Sequence, residues 1–283
     1  MIDATTKLLG VIGDPIEHSK SPQLHNYLIK HLNLNYCYLA FRAPPDQLNR
    51  LTDGFRAMGI AGFNITVPHK ETIMPLLDGL SEDAEALGAV NTVVVEDGKL
   101  IGHNTDWVGF LNPLSEIDLQ SQHVVILGAG GAAKGIVYGL IQKRVGKLTL
   151  VNRTASKAEA LAKHIQAQLG FDAVEVVEPD SELLISSTQE VQLLVNTTSV
   201  GMWPKVDETP VSASMLHPNQ IVYDLVYNPL ETRLLKDARQ VGAQTIDGLD
   251  MFIGQGIASF SKWTHTKVPI ELLESVRKYL IEL

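Results

Sequence analysis

Short apolar runs recur along the second half of the chain. Val124–Leu127 is too short and too β-branched for a helix and reads as a buried strand, and Leu148–Val151, Leu193–Ser199 and Ile221–Tyr227 read as further strands. Between them, Gly131–Gln142, Ser156–Leu169 and Thr232–Gly242 carry apolar residues at helical spacing, and Gln244–Ile246 adds a short last strand. Such alternation predicts a parallel, doubly wound sheet. The first half reads differently. Lys7–Gly13, Tyr36–Ala40 and Gly62–Val67 are strands, with Ile65 and Val67 expected to face a core. Gly88–Val95 enters a hairpin through Asp97-Gly98. Helices are expected at Ser21–Leu32, with Ser21 as N-cap before Pro22, at Pro45–Met58, ended by Gly59, and at Leu80–Leu87. Gly248–Phe252 crosses to two final helices, Ile253–Thr264 and Ile270–Ile281, expected to pack on the N-terminal part.

The turn after Leu127 gives this pattern a chemical meaning. Gly128 permits a tight turn, and Gly130 lets backbone approach a pyrophosphate at a helix N-terminus, where free N–H groups point at it. Ala133 takes the place of the third glycine, a variant that still packs close to the strand. A Gly-rich turn alone also suits a strand–helix junction that binds nothing. The next strand weighs toward a dinucleotide, with a solvated basic turn as the alternative. It ends in Asn152-Arg153-Thr154, where a dinucleotide site places its ribose-reading residue. No carboxylate stands there to accept a ribose 2′-hydroxyl. Arg153, Thr154 and Lys157 suit a 2′-phosphate, which favours NADP over NAD.

At 283 residues the chain is long for one core, so two domains are expected. A net charge of −9 argues against nucleic acid as a partner. No apolar run reaches the ~20 residues of a membrane span, and Met1–Gly13 lacks the pattern of a signal peptide. Cys37 stands alone, which excludes an intrachain disulfide and fits a reducing, cytoplasmic compartment. Its alternating neighbours make it a buried structural thiol.

Candidate chemistry gathers at strand ends. Ser19 and Ser21 precede the first helix; capping explains Ser21 but not Ser19, and a carboxylated or polyhydroxylated ligand would use both. Lys70 follows Thr66 and Pro68 at the carboxyl end of a strand, where open α/β sheets bind ligands. Asp106 closes the run Asn104-Thr105-Asp106 and is either a helix cap or an acid.

In these runs and their order the chain resembles the shikimate dehydrogenase family. The matching stretches are Gly13-Asp14-Pro15 with Ser19, Ser21 and His25-Asn26; Asn64–Pro68 with Lys70; Gly88–Thr92; Asn104–Asp106 with Gly109; Gly128–Ala132; Asn152–Thr154; Asn196–Thr198; Tyr223-Asp224 with Tyr227; and Gln255. The resemblance implies an N-terminal α/β catalytic domain, residues 1–106 with 250–283, and a Rossmann-type dinucleotide-binding domain, 107–249. It implies reduction of 3-dehydroshikimate to shikimate with NADPH, in aromatic amino-acid biosynthesis, by a monomer or homodimer. Lys70 and Asp106 would be catalytic, with the proton carrier left open between them. Ser19 and Ser21 would hold the substrate carboxylate, Thr66, Asn91 and Gln255 its hydroxyls, and Tyr227 would close the substrate side. Gly128, Ala129, Gly130, Gly131 and Ala132 would bind pyrophosphate, and Asn152, Arg153, Thr154 and Lys157 the 2′-phosphate end. Leu225, Gly248 and Met251 would line the nicotinamide, and Glu82 matches a further cofactor-side position.

Lys157 stands where many members have a second Arg, and Met251-Phe252-Ile253-Gly254-Gln255-Gly256 departs from the family's usual run near the end. The nearest rival reading is a quinate/shikimate dehydrogenase that uses NAD as well. A methylene-tetrahydrofolate dehydrogenase would leave Ser19, Ser21 and Asp106 unexplained. A ligand sensor built on the same fold would be expected to lose Lys70 or Asp106, and both are present.

Overall fold

The computed structural model describes residues 2–179 and 181–283. It separates into two compact units: one carries the chain up to Gly109 together with Ile253–Leu283, and the other is Phe110–Phe252.

The first unit starts with a βαβ step. β1 (Lys7–Gly13) leads through α1 (Ser21–His31) to β2 (Tyr36–Arg42), and α2 (Leu48–Met58) returns the chain to β3 (Gly62–Ile65). Gly59, at φ +65°, ends α2 in the left-handed conformation that favours glycine. After the two-residue β4 (Gly79–Leu80) and α3 (Glu82–Leu87) come β5 (Thr92–Glu96), β6 (Lys99–His103) and α4 (Asp106–Leu111). Leu80 thus belongs to a strand rather than to the helix. β5 and β6 turn on Asp97 and Gly98, both at positive φ, as a two-residue hairpin loop requires. The sheet order is β2-β1-β3-β5-β6-β4. β1, β2 and β3 are parallel, while β5 runs antiparallel to β3 and to β6. The C-terminal end of β3, the start of β5 and the end of β6 therefore share one sheet edge.

One face of this sheet packs Ile12, Phe63, Ile65, Val93 and Leu100 against Phe55 of α2. The chain's last two helices belong to the same unit, and α10 packs on α1. Trp263 lies on Gly62 and donates its indole N–H to the Val93 carbonyl at 2.8 Å; a side chain at Gly62 would collide with that ring. Val67, expected in the core, is exposed because β3 stops at Ile65, while Asn64 is buried. Cys37 is half-buried, since β2 is an edge strand.

The second unit holds β7 (His123–Leu127), α5 (Gly131–Gln142), β8 (Lys147–Val151), α6 (Ala155–Leu169), β9 (Val174–Val177), α7 (Glu182–Glu190), β10 (Leu193–Asn196), β11 (Ile221–Asp224), α8 (Arg233–Gln240) and β12 (Gln244–Ile246). β9 and α7 fill a stretch in which the sequence pattern marks no element. All strands are parallel, in the order β12-β11-β10-β7-β8-β9. Val124 and Ile126 pack with α5 and α6 on one face. Val125 and Leu127 pack with α7 and α8 on the other, as strand alternation demands. β7 and β10 are neighbours whose following connections run to opposite faces, which opens a crevice at their carboxyl ends. The chain then continues in α9 (Gly248–Thr264) and α10 (Ile270–Ile281). Gly248–Phe252, read from sequence as a crossing, is the first part of α9.

Candidate active site

In the first unit, backbone hydrogen bonds draw three loop ends together. Val90 N–H donates to the Lys70 carbonyl at 2.7 Å, Asn91 N–H to the His103 carbonyl, and Ile65 N–H to the Asn91 carbonyl. Lys70, Asn91 and Asp106 converge there. Lys70 Nζ lies 2.5 Å from Asp106 Oδ2, and Asn91 Nδ2 donates to Asp106 Oδ1 at 2.8 Å. Both carboxylate oxygens are therefore held. The side chain of Asp106 is only 7% exposed and that of Lys70 18%, so the pair is poorly screened by water yet still open to a ligand. Asp106 is also the first residue of α4, with its own N–H given to Asn104 Oδ1 at 3.0 Å. Asn104 Oδ1 takes this first helical N–H, and the Asp106 carboxylate is turned instead to Lys70 and Asn91.

The other candidates of this unit lie along the same sheet edge. Thr66 follows β3 and meets Gly13 at the end of β1. Asp14 N–H donates to the Val67 carbonyl at 3.0 Å, which stitches the two loops. Ser19 Oγ accepts the Ser21 N–H at 3.3 Å. The roles expected of these serines at the helix end are reversed: Ser19 satisfies the free N–H, Lys20 is the cap position, and Ser21 opens the helix. Ser21 is buried beside Tyr38; its hydrogen bond lowers the Tyr38 pKa, against a larger upward push from burial. Gln255 reaches in from α9, its Oε1 3.5 Å from Asn91 Nδ2. Glu82 sits apart, exposed in the first turn of α3.

In the second unit, the carboxyl ends of β7, β8 and β10 enclose a cavity of about 420 Å³. Gly128, Ala129, Gly130, Asn152, Arg153, Thr154 and Lys157 all line it. Gly128 adopts φ +113°, and a Cβ there would strike Thr197 Oγ1, so glycine is required twice over. At Gly130 a Cβ would meet nothing within 4 Å. The space over that backbone is open, and the crevice reaches Gly130 at the start of α5, a helix end whose first N–H groups have no partner within the helix. Gly131 and Ala132 form that first turn, while Ala133 is fully buried against the sheet. Asn152 Nδ2 donates to the Thr154 carbonyl at 2.9 Å and shapes the turn. Arg153 and Lys157 are exposed, and among the described residues no ion pair engages either. The residues present thus fit an anionic dinucleotide with an additional phosphate.

The crevice has a wall that motif reading did not assign as a site. Thr197, Thr198 and Ser199 line it from the end of β10. Thr197 donates both N–H and Oγ1 to the Leu127 carbonyl, at 2.8 and 2.9 Å. Asn196 Oδ1 accepts from Thr198 N–H and Oγ1, and its amide donates to Asp224 Oδ1 at 2.9 Å. Asp224 Oδ2 accepts from Thr232 Oγ1 at 2.6 Å. Burial pushes the Asp224 carboxyl up to about 6, although these hydrogen bonds pull the other way. The available signal was the matched run Asn196–Thr198; its place beside the glycine turn follows only from the pairing of β10 with β7.

Three family models match the chain: the shikimate dehydrogenase substrate binding domain over residues 11–93, shikimate / quinate 5-dehydrogenase over 113–216, and the shikimate 5'-dehydrogenase C-terminal domain over 248–276. The shikimate dehydrogenase (NADP(+)) of Methanopyrus kandleri is 43% identical, over 99% of this chain and 98% of its own.

The chain belongs to the shikimate dehydrogenase family.

A crystal structure of a shikimate dehydrogenase in complex with NADP+ superposes with a TM-score of 0.93 at 44% identity, covering 99% of this chain and 98% of that one. The Listeria monocytogenes shikimate 5-dehydrogenase, crystallised with shikimate and NAD, gives 0.90 at 39% identity, with 97% of each chain covered. Like those shikimate dehydrogenases, the protein is mixed α/β. The remaining candidates lie in its second unit. Gly248 rests on the backbone of Leu225 and Val226 so closely that no side chain fits, and Met251 is buried in the cluster against which Leu225 and Ala129 pack. Tyr227 follows β11 and stacks on Phe252 at 4.9 Å, with burial raising its pKa. Among the described residues no group of three or more His, Cys, Asp or Glu is placed to hold a metal, and no helix is long and apolar enough to cross a membrane.

Proposed function

We propose that this protein is an NADP-dependent shikimate dehydrogenase, which reversibly reduces 3-dehydroshikimate to shikimate in the route to the aromatic amino acids. The single observation that carries this reading is the Lys70–Asp106 pair, held at 2.5 Å on a ligand-accessible strand edge. The names of its relatives support shikimate over quinate and NADP as cofactor.

When bound, NADP supplies the hydride acceptor of shikimate oxidation, and its reduced form the donor of the reverse reaction. The chain's own residues do the rest. As the ring C–O group changes between hydroxyl and ketone, a proton must leave or reach its oxygen. The Lys70–Asp106 pair, one hydrogen-bonded unit, exchanges that proton and stabilises the charge that develops there. Ser19 keeps its hydroxyl proton, because it only accepts from Ser21 N–H, and donates it to the substrate carboxylate, which Ser21 helps to hold. Thr66, Asn91 and Gln255 orient the hydroxyls, and Tyr227 closes the substrate side. Gly128–Ala132 hold the pyrophosphate; Asn152, Arg153, Thr154 and Lys157 hold the 2′-phosphate end. Leu225, Gly248 and Met251 shape the nicotinamide end, with Glu82 on the cofactor side. The first unit is then the substrate-binding domain and the second the NADP-binding domain. The free thiol of Cys37 fits a reducing compartment, and we assign the enzyme to the cytoplasm, as a monomer or homodimer.

Steady-state absorbance at 340 nm tests the assignment, with shikimate and quinate each offered with NADP and NAD. Shikimate with NADP should give the highest kcat/KM. A higher value for quinate with NAD would replace the assignment by the dual-specificity reading.

A further inference from the structure

Ser259 lies on α9, fully buried, and belongs to none of the motifs that mark the site. Its hydroxyl is a crossing point. Oγ is 3.0 Å from the Gln255 carbonyl, 2.7 Å from Thr92 Oγ1, 3.0 Å from Thr105 Oγ1 and 3.1 Å from Asn64 Nδ2. Proton counting orders these contacts. The Gln255 carbonyl takes the one Ser259 proton; the two Asn64 amide protons go to the Asn91 carbonyl and Thr92 Oγ1, so the two lone pairs of Ser259 Oγ accept from Thr92 and Thr105.

That assignment propagates to the acid. Thr105 Oγ1, whose proton goes to Ser259, accepts from Asn91 Nδ2 at 3.0 Å, with Asn91 Oδ1 and Thr92 Oγ1 each a further 3.2 Å neighbour. Asn91 Oδ1 also accepts the Thr105 backbone N–H at 2.8 Å, an obligate donor. The Asn91 amide can therefore point only one way, with Nδ2 toward Asp106 Oδ1. Asn64 closes the far side of the network: its Oδ1 accepts from Tyr38 OH at 2.7 Å and its amide donates to the Asn91 carbonyl and Thr92 Oγ1. A buried network of this kind is rigid only while each member is satisfied.

We propose that Ser259 is a positioning residue for the reaction, acting through Thr105 and Asn91 to fix the carboxylate of Asp106 against Lys70. The proposal rests on the shikimate dehydrogenase reading. It predicts a loss in the chemical step rather than in substrate affinity.

The test is shikimate oxidation by NADP with the wild type, Ser259→Ala, Thr105→Val, Thr105→Ser and the Ser259→Ala/Thr105→Val double variant. Melting temperature and NADP affinity by fluorescence are measured on each. Ser259→Ala should lower kcat about tenfold, with KM for shikimate within about twofold and NADP affinity unchanged. Thr105→Val should do the same, and Thr105→Ser should recover most of that loss. Because both act on one path, the double variant should lose little more than either single one. The proposal is overturned if Ser259→Ala keeps kcat within twofold, if the loss falls on KM, or if the two losses multiply. Should Ser259→Ala not fold, Thr105→Val decides alone, and wild-type kcat in it overturns the proposal. A wild type inert toward shikimate with NADP overturns the functional reading itself, and this inference with it.

Discussion

Lys70 and Asp106 lie 36 residues apart in the chain and 2.5 Å apart in space, with the carboxylate's other oxygen on Asn91. Lys70→Ala removes the only cation on Asp106 among the described ion pairs. It should lower kcat on the order of 100-fold or more, with KM for shikimate little changed. Steady-state kinetics of the folded variant check this; near-wild-type turnover would take Lys70 out of the chemistry.

Two glycines two residues apart should respond oppositely. Gly130→Ala adds a methyl group into open space at an ordinary φ, so the melting temperature should hold. If a pyrophosphate occupies that space, NADP affinity should fall about tenfold or more. Gly128→Ala forces a Cβ onto Thr197 at φ +113° and should destabilise the fold by about 1–3 kcal/mol. Thermal melts and fluorescence titrations with NADP separate the two effects. Unchanged binding in Gly130→Ala would argue against a phosphate at that turn.

Arg153 is exposed at the end of β8 and lines the crevice. Arg153→Ala should raise the KM for NADP by roughly 10- to 100-fold, the worth of a charged hydrogen bond, and leave the KM for NAD nearly as it was. The wild-type preference should also weaken with added salt, since the contact is solvent-exposed. Equal losses with both cofactors would contradict a role for Arg153 on the 2′-phosphate.

Asp224 has its carboxyl raised by burial from the ordinary 3.8 to about 6. Between about pH 4 and 6 the folded protein keeps a proton that the unfolded chain releases. The contribution is full below about pH 4 and is lost as pH rises through 6, roughly 3 kcal/mol in all. Asp224→Asn retains an acceptor for Asn196 and Val226 and has no such titration. Urea unfolding should show the variant gaining on the wild type as pH rises from about 4 to 7.5. Parallel curves would mean that the carboxyl titrates normally.

The second unit was largely legible because its strands are short, buried on both faces and punctuated by glycine. Helix α5 falls at the residues that periodicity gives, Gly131–Gln142. β9 and α7 escaped because Val174–Val177 is only partly buried and short, and α7 is weakly patterned. Alternation continued through Val67 points it at a core, but β3 stops at Ile65 and Val67 is exposed. The serine pair before α1 was found, but not which serine satisfies the helix end, since capping depends on φ and ψ rather than on residue type alone.

Residue order alone determined what is local: the glycine turn, the cationic run at Asn152–Lys157, the hairpin at Asp97-Gly98 and the strand–helix alternation. Each depends on backbone freedom or on side-chain period within a few residues. Tertiary structure alone decided which distant groups meet. Lys70, Asn91, Asp106 and Ser259 come together because β5 reverses direction in the first sheet, bringing the end of β3, the start of β5 and the end of β6 to one edge beneath α9. Thr197 reaches Gly128 because β10 pairs with β7. Strand order and register are set by packing over the whole sheet, and no short window of sequence contains them.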